Sequence, residues 1–240
     1  MSKPARSAAS LVQEVVLLLV LAVGLALGIK TFVVQAFYIP SGSMEPGLSI
    51  DDRILVEKVS SWFGGEPERG DVVVFDDPGG WLDESESAGP SGPVASTLAA
   101  LGLYPTGGHL VKRVIGVGGD TVSCCDARGR LSVNGHPLDE DDFIDPQSVC
   151  DGPMAGCRRG WSATVPEGRL FVMGDNRDES ADSSYHLCSR PLRECDPASA
   201  YVPTDEVVGR VFAVVWPLDH ATVERRPDTF DDVPEPAETD

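Results

Sequence analysis

Apolar residues are concentrated unevenly along this chain. Residues 15–29 read VVLLLVLAVGLALGI, without a charge or a hydrogen-bonding side chain. A bilayer core takes about 20 helical residues. Leu11 and Val12 lengthen the run at one end, and 31–34 lengthen it at the other once Lys30 snorkels to the interface. The pattern predicts a transmembrane signal-anchor helix over 11–34. Beyond it the apolar positions fall into short Val- and Ile-rich runs bounded by Gly, Pro and Asp: 54–59, 71–75, 110–117, 121–124, 130–133, 169–173 and 207–215. Such runs predict β-strands. Asn134-Gly135 predicts a tight hairpin after the run 130–133. The expected fold class is mainly β, an antiparallel sheet domain behind one N-terminal transmembrane helix.

Charge orients this plan. Lys3 and Arg6 precede the apolar run, and Asp51 and Asp52 follow it. The positive-inside rule then predicts a cytoplasmic N-terminus at 1–10 and an extracytoplasmic β-rich domain at 35–218. A cleaved signal peptide is the competing reading, since Val34-Gln35-Ala36 looks like a small-residue cleavage site. The length of the run and its extensions favours the anchor. Within the β domain, 76–109 reads as an insertion, with 78–93 as an exposed Gly-, Ser-, Pro- and acid-rich loop and 94–103 as a short apolar helix. The end, 219–240, is acidic and loses periodicity, which predicts a disordered tail.

A formal net charge of −19 repels phosphate backbones and argues against nucleic acid as a partner. All six cysteines, Cys124, Cys125, Cys150, Cys157, Cys188 and Cys195, lie beyond the apolar run, which predicts disulfides in an oxidising compartment. Paired zinc-ligand spacings are absent, so neither a metal nor another cofactor is expected. Pairing of Cys124 with Cys125 is disfavoured by the short peptide between them. The other connectivities stay open.

The candidate chemistry begins with PSGSMEPG at 40–47, a turn holding Ser41 and Ser43. A serine nucleophile needs a base. His109, His136, His186 and His220 have no Ser-rich turn of their own, and no GxSxG elbow occurs. A lysine serves if burial lowers its pKa from about 10.4 toward working pH. The chain has four lysines: Lys3, Lys30, Lys58 and Lys112. Lys112 stands in HLVKRVIGVGG, where strand alternation puts it on one face with Leu110 and Val114 and puts Arg113 on the other. The SxxK spacing fails, because Pro46 lies three residues beyond Ser43. A third cluster, GDNRDESADSSY at 174–185, carries four carboxylates and three serines and lacks the spacing of a calcium loop.

In this order these segments resemble the type I signal peptidases, membrane-bound Ser/Lys proteases. The matching blocks are PSGSMEPGL (40–48), DRILVEK (52–58), RGDVVVF (69–75), KRVIGVGGD (112–120) and GDNRDESADS (174–183). The resemblance implies Ser43 as nucleophile and Lys112 as general base. It implies an oxyanion site from the Ser41 hydroxyl and the Ser43 N–H, with Ser180 orienting the lysine. Arg113, Asp175, Arg177 and Asp182 become structural supports. Cleavage is implied after small residues at −1 and −3, in pockets walled by Phe37, Ile39, Pro40, Met44, Leu48, Ile54, Leu110 and Val111. The implied partners are preprotein signal peptides, membrane lipid (with residues 37–39 and Trp62-Phe63 dipping into headgroups) and the secretion machinery; no cofactor is implied. This sequence departs from the family pattern at three places. Ser184 replaces an arginine that commonly pairs with the aspartate at Asp182, leaving Arg177 as candidate partner. Asp51 replaces a common glycine, and Glu45 stands beside Met44. Two rival functions are a Ser/Lys peptidase for another precursor class and an inactive tethered β domain. The presence of both Ser43 and Lys112 counts against the second.

Overall fold

The computed structural model describes residues 8–62, 64–82, 92–93, 97, 107–144, 160–188 and 196–236. Among the described residues one long helix, α1 (Ala8–Phe32), leads into twelve strands. They are β1 (Val34–Tyr38), β2 (Arg53–Glu57), β3 (Val72–Asp76), β4 (His109–Gly116), β5 (Thr121–Cys124), β6 (Ser132–Val133), β7 (His136–Pro137), β8 (Trp161–Thr164), β9 (Arg169–Met173), β10 (Val202–Pro203), β11 (Val207–Trp216) and β12 (Thr222–Val223). A single helical turn, α2 (Val59–Trp62), follows β2.

The strands make two sheets. The larger has eight strands in the order β1-β2-β11-β3-β4-β9-β10, with β12 paired to the end of β11. The smaller has four, in the order β7-β6-β5-β8. Every pairing is antiparallel, which agrees with the mainly β expectation. The Asn134-Gly135 signal also holds. Both residues take positive φ (52° and 79°), and they close β6 onto β7 with Val133 opposite His136.

Other expectations are corrected, or fall outside the described residues. The helix ends at Phe32 rather than 34, because Val34 already pairs with Glu57 in β1–β2. Side chains on α1 are described for 11–26 and 28, and those at Val15–Leu21 are all exposed. Among the described residues no helix is long and apolar enough to cross a membrane. Most of the insertion 76–109, the short helix at 94–103, the side chain of Trp62, and Phe63 lie outside the described residues. Cys124 and Cys125 are joined to each other across a cis peptide bond, which sets the two Cα atoms 3.0 Å apart, so the disfavoured vicinal pairing is the one found. Cys188 is also disulfide-bonded.

The largest correction concerns the acidic end. Residues 219–236 form an ordered strap instead of a free tail. It pairs through β12 with β11, then crosses to the smaller sheet, where Phe230 and Val233 are buried with Leu131, Val133, Leu138 and Phe143. Polar contacts tie it down on the way: Asn134 Nδ2 donates to the Pro234 carbonyl, Thr229 Oγ accepts from Asp139 N, and Arg226 pairs with Glu68 and Asp231. Two apolar residues in an acidic stretch are enough to anchor it, because each fills a place in an existing core.

Two further clusters pack against the larger sheet. One holds Ile39, Met44, Leu48, Ile54, Val56, Val72, Val74, Val211 and Val214. The other holds Val73, Phe75, Trp81, Leu110, Val114, Leu170, Val172 and Val202. Alternation along β3 and β4 sends neighbouring side chains to different clusters, and the site is built where these meet.

Candidate active site

The turn after β1 is held at both ends. Ile39 N donates to the Asp52 carbonyl and Asp51 N to the Ile39 carbonyl. Asp51 adopts φ 74°, the left-handed conformation that favours glycine, which accounts for the residue type it replaces. Inside the turn, Glu45 N bonds the Gly42 carbonyl and Leu48 N the Met44 carbonyl. Met44 and Leu48 then plug into the core beneath, each only 1% exposed. These contacts present Ser43 on a fixed backbone.

Strand β4 brings up the lysine. Val73 lies opposite Lys112 and Val72 opposite Arg113 in the β3–β4 register. Lys112 Nζ stands 2.7 Å from Ser43 Oγ, across 69 residues of sequence. The Lys112 side chain is 4% exposed. Burial penalises its ammonium and lowers its pKa to about 8, against the opposing pull of the Asp182 and Asp175 charges. Ser41 Oγ lies 3.4 Å from Ser43 Oγ.

The loop after β9 closes the site. Gly174 is the pivot: a Cβ there would come within 2.4 Å of both the Ser43 carbonyl oxygen and Ser180 Oγ, so only glycine fits. Asn176 clamps the serine turn twice, donating from its N to the Ser43 carbonyl and from Nδ2 to the Gly42 carbonyl. Ser180 is fully buried; its Oγ donates to Asp182 Oδ2 at 2.7 Å and accepts from Gly174 N. Lys112 forms no hydrogen bond to Ser180, so the expected direct contact is replaced by this link to Asp182. Asp182 is also bonded by Gly174 N and by the N and Oγ of Ser184. Ser184 therefore takes over the arginine's place with two neutral donors, and Arg177 does not substitute as partner.

Arginines brace the outside of this loop. Arg113 bonds both Asp175 oxygens at 2.8 and 2.7 Å, the Gly70 carbonyl at 2.9 Å and Glu224 of the strap at 3.2 Å, and it lies over the Phe143 ring. Burial works against its charge, but Asp175 and then Glu224 outweigh burial and raise its pKa. Arg177 donates to the Gly174 carbonyl and pairs with Glu140 at 2.6 Å. Burial disfavours the Arg177 charge as well, and Glu140 more than restores it.

The expected pocket residues divide into three groups. Ile39, Met44, Leu48 and Ile54 form a fully packed floor, with the half-buried Phe37 and Val111 against it. Pro40 is exposed, and Leu110 belongs to the cluster on the other side with Val73 and Val114. Phe37 meets His109 edge-on at 5.2 Å. Gly174, Asn176, Glu140 and Glu224 were not singled out from sequence. The first two sit inside the GDNRDESADS block and so carried a signal; the two glutamates stand in acidic stretches that look like solvated surface. Among the described residues no group of His, Cys, Asp or Glu is placed to hold a metal ion.

Comparison with known proteins adds a family. The model of signal peptidase, peptidase S26, matches residues 12–216. A probable signal peptidase I of Mycobacterium leprae is 41% identical over 223 residues, covering 85% of this chain and 76% of the relative. Signal peptidase I of Mycobacterium tuberculosis is 40% identical over 232 residues, covering 90% and 76%. A solved signal peptidase I from Enterococcus faecalis covers 60% of this chain and 96% of its own at 24% identity and a TM-score of 0.34.

Proposed function

The chain belongs to the signal peptidase family, peptidase S26, and from that premise we propose a membrane-bound serine endopeptidase that removes N-terminal signal peptides from exported preproteins. Ser43 is the nucleophile and Lys112 the general base. One observation carries the reading: a buried lysine amine 2.7 Å from a serine hydroxyl, with no other base on that hydroxyl among the described residues.

The chemistry follows from that contact. Neutral Lys112 takes the Ser43 proton as Oγ attacks the scissile carbonyl. The carbonyl oxygen becomes an oxyanion, for which the Ser43 N–H and the Ser41 hydroxyl are the donors. The lysine ammonium then gives its proton to the leaving amine, and the acyl-enzyme forms. Water repeats the sequence and releases the peptide. Half of the lysine is uncharged near its pKa of about 8, so activity rises with pH through that value.

Specificity for small residues at −1 and −3 fits a shallow surface. Phe37, Pro40 and Val111 supply its apolar walls over the packed floor, leaving little depth for a large side chain. An extended substrate adds β-strand hydrogen bonds beside β4. The apolar run that continues α1 across 15–29 supports an anchor at 11–34, with a cytoplasmic N-terminus and the domain 35–218 outside, where it would meet membrane lipid and the secretion machinery.

The test is cleavage of a purified precursor with an Ala-x-Ala site. Ser43→Ala and Lys112→Ala should each lose at least about 10³-fold in kcat/KM while keeping the wild-type melting curve. Full activity in Ser43→Ala would refute the mechanism.

A further inference from the structure

Four carboxylates stand around the dyad and its loop, Asp175, Asp182 and Glu140 buried and Glu224 half-buried, and three of them contact an arginine. Asp175 and Glu224 share Arg113, and Glu140 pairs with Arg177. Asp182 is the exception. It is 1% exposed, and its four bonds come from Gly174 N, Ser180 Oγ, Ser184 N and Ser184 Oγ, none of them a cation. A buried charge without a counter-charge is expensive unless it acts on something nearby. The cation it can serve is Lys112, which also makes no ion pair among the described residues.

We propose that Asp182 is a positioning residue for the dyad: its unneutralised carboxylate stabilises the ammonium that appears on Lys112 when Ser43 loses its proton. The proposal rests on the Ser/Lys reading above. Lys112 forms a full charge in an apolar site at the moment of attack, and burial alone opposes that step. A carboxylate held rigidly by neutral donors offsets the opposition without quenching its own charge. Ser180 and Ser184 thus fix the carboxylate's place and leave its field free. A guanidinium at position 184 would hold the same carboxylate equally well and cancel that field.

Other charges face this pair. Asp175 adds to the field of Asp182 at the lysine, and its own contact is with Arg113. The charges of Asp175 and Asp182 also favour the Arg177 cation, whose ion pair is with Glu140. The His186 backbone N–H donates to the Asp182 carbonyl; burial lowers the pKa of its ring, against the pull of Asp182 and Asp77. Of all these, Asp182 is the strongest charge acting on Lys112.

The test reads the lysine directly. The chain has only four lysines, so a full chain labelled at lysine Cε, held in detergent micelles, gives four signals, and loss of one in Lys112→Arg assigns it. The wild-type Lys112 signal should titrate near about 8. In Asp182→Asn its proton affinity should fall about tenfold, moving the midpoint roughly one pH unit lower. Ser184→Arg, which leaves Asp182 in place and adds a cation beside it, should move it the same way and serves if Asp182→Asn does not fold. Cleavage should follow: the acid limb of kcat/KM moves down by the same amount, kcat on the plateau falls and KM holds. A purely structural role would lower the plateau and leave the limb in place. A wild-type midpoint near ordinary lysine would sink the Ser/Lys reading itself. A midpoint near 8 that neither variant moves would overturn the role of Asp182 alone.

Discussion

Lys112 and Arg113 are neighbours on β4, and both are nearly inaccessible, at 4% and 3% exposure. Their surroundings treat them in opposite ways. Arg113 meets two carboxylates, a carbonyl and an aromatic face, and burial leaves its charge secure. Lys112 meets one hydroxyl and apolar neighbours, and burial takes its proton affinity down. Burial alone therefore does not decide the state of a cation. What decides it is whether counter-charges are placed in contact with it or only nearby. One side of the strand uses a permanent charge to hold a loop, and the other leaves a charge that depends on pH, as the proposed base requires.

The sharpest way to break this contrast is to put the permanent cation on the reactive side. In Lys112→Arg a guanidinium cannot give up its proton, so precursor cleavage should fall at least about 10³-fold at every pH. Next is the pH dependence of the wild type. Below about 8 the lysine carries its proton and cannot act as base, so kcat/KM should fall about tenfold per pH unit on the acid side. A rate flat from the acid side through the alkaline side would end the lysine-base reading. On the other face, Arg113→Met strands the buried Asp175 and the half-buried Glu224 without a counter-charge and should lower stability by about 3–5 kcal/mol in denaturant unfolding. It should damage activity mainly through that loss. The smallest effect belongs to Glu224→Gln, which keeps the contact with Arg113 and removes one of its two charges. Stability should drop by about 1 kcal/mol and kcat by less than about threefold, because Asp175 still holds the guanidinium in a two-oxygen grip.

Much of this was legible in the sequence where a residue's neighbours along the chain settle its role. The alternation in HLVKRVIG puts Lys112 and Arg113 on opposite sides of a strand, and β4 keeps that arrangement. Asn134-Gly135 made a hairpin from its own backbone preferences. The legible part weakens where a role depends on a distant partner. Ser180 has the hydroxyl to orient a lysine, yet its bond goes to Asp182, a choice set by how the loop folds over Gly174. Strands β1 and β8 escaped notice because VQAFY follows directly on an apolar helix and WSAT carries a single large apolar residue. Phe230 and Val233 have no periodicity around them, so nothing local announces that they finish the core of the smaller sheet. Glu224, four residues after a turn and followed by two arginines, gave no sign that it would end on Arg113.

The strap also has a meaning in time. Translation releases Ser43, Lys112 and Asp182 before Glu224, Phe230 and Val233. A nascent chain halted after β11 would own the proposed dyad and Asp182 and yet lack the glutamate behind Arg113 and the two apolar plugs that join the sheets. Assembly of the domain around Ser43 and Lys112 therefore waits for the strap, and chains cut between β11 and β12 should be the ones that quality control meets first.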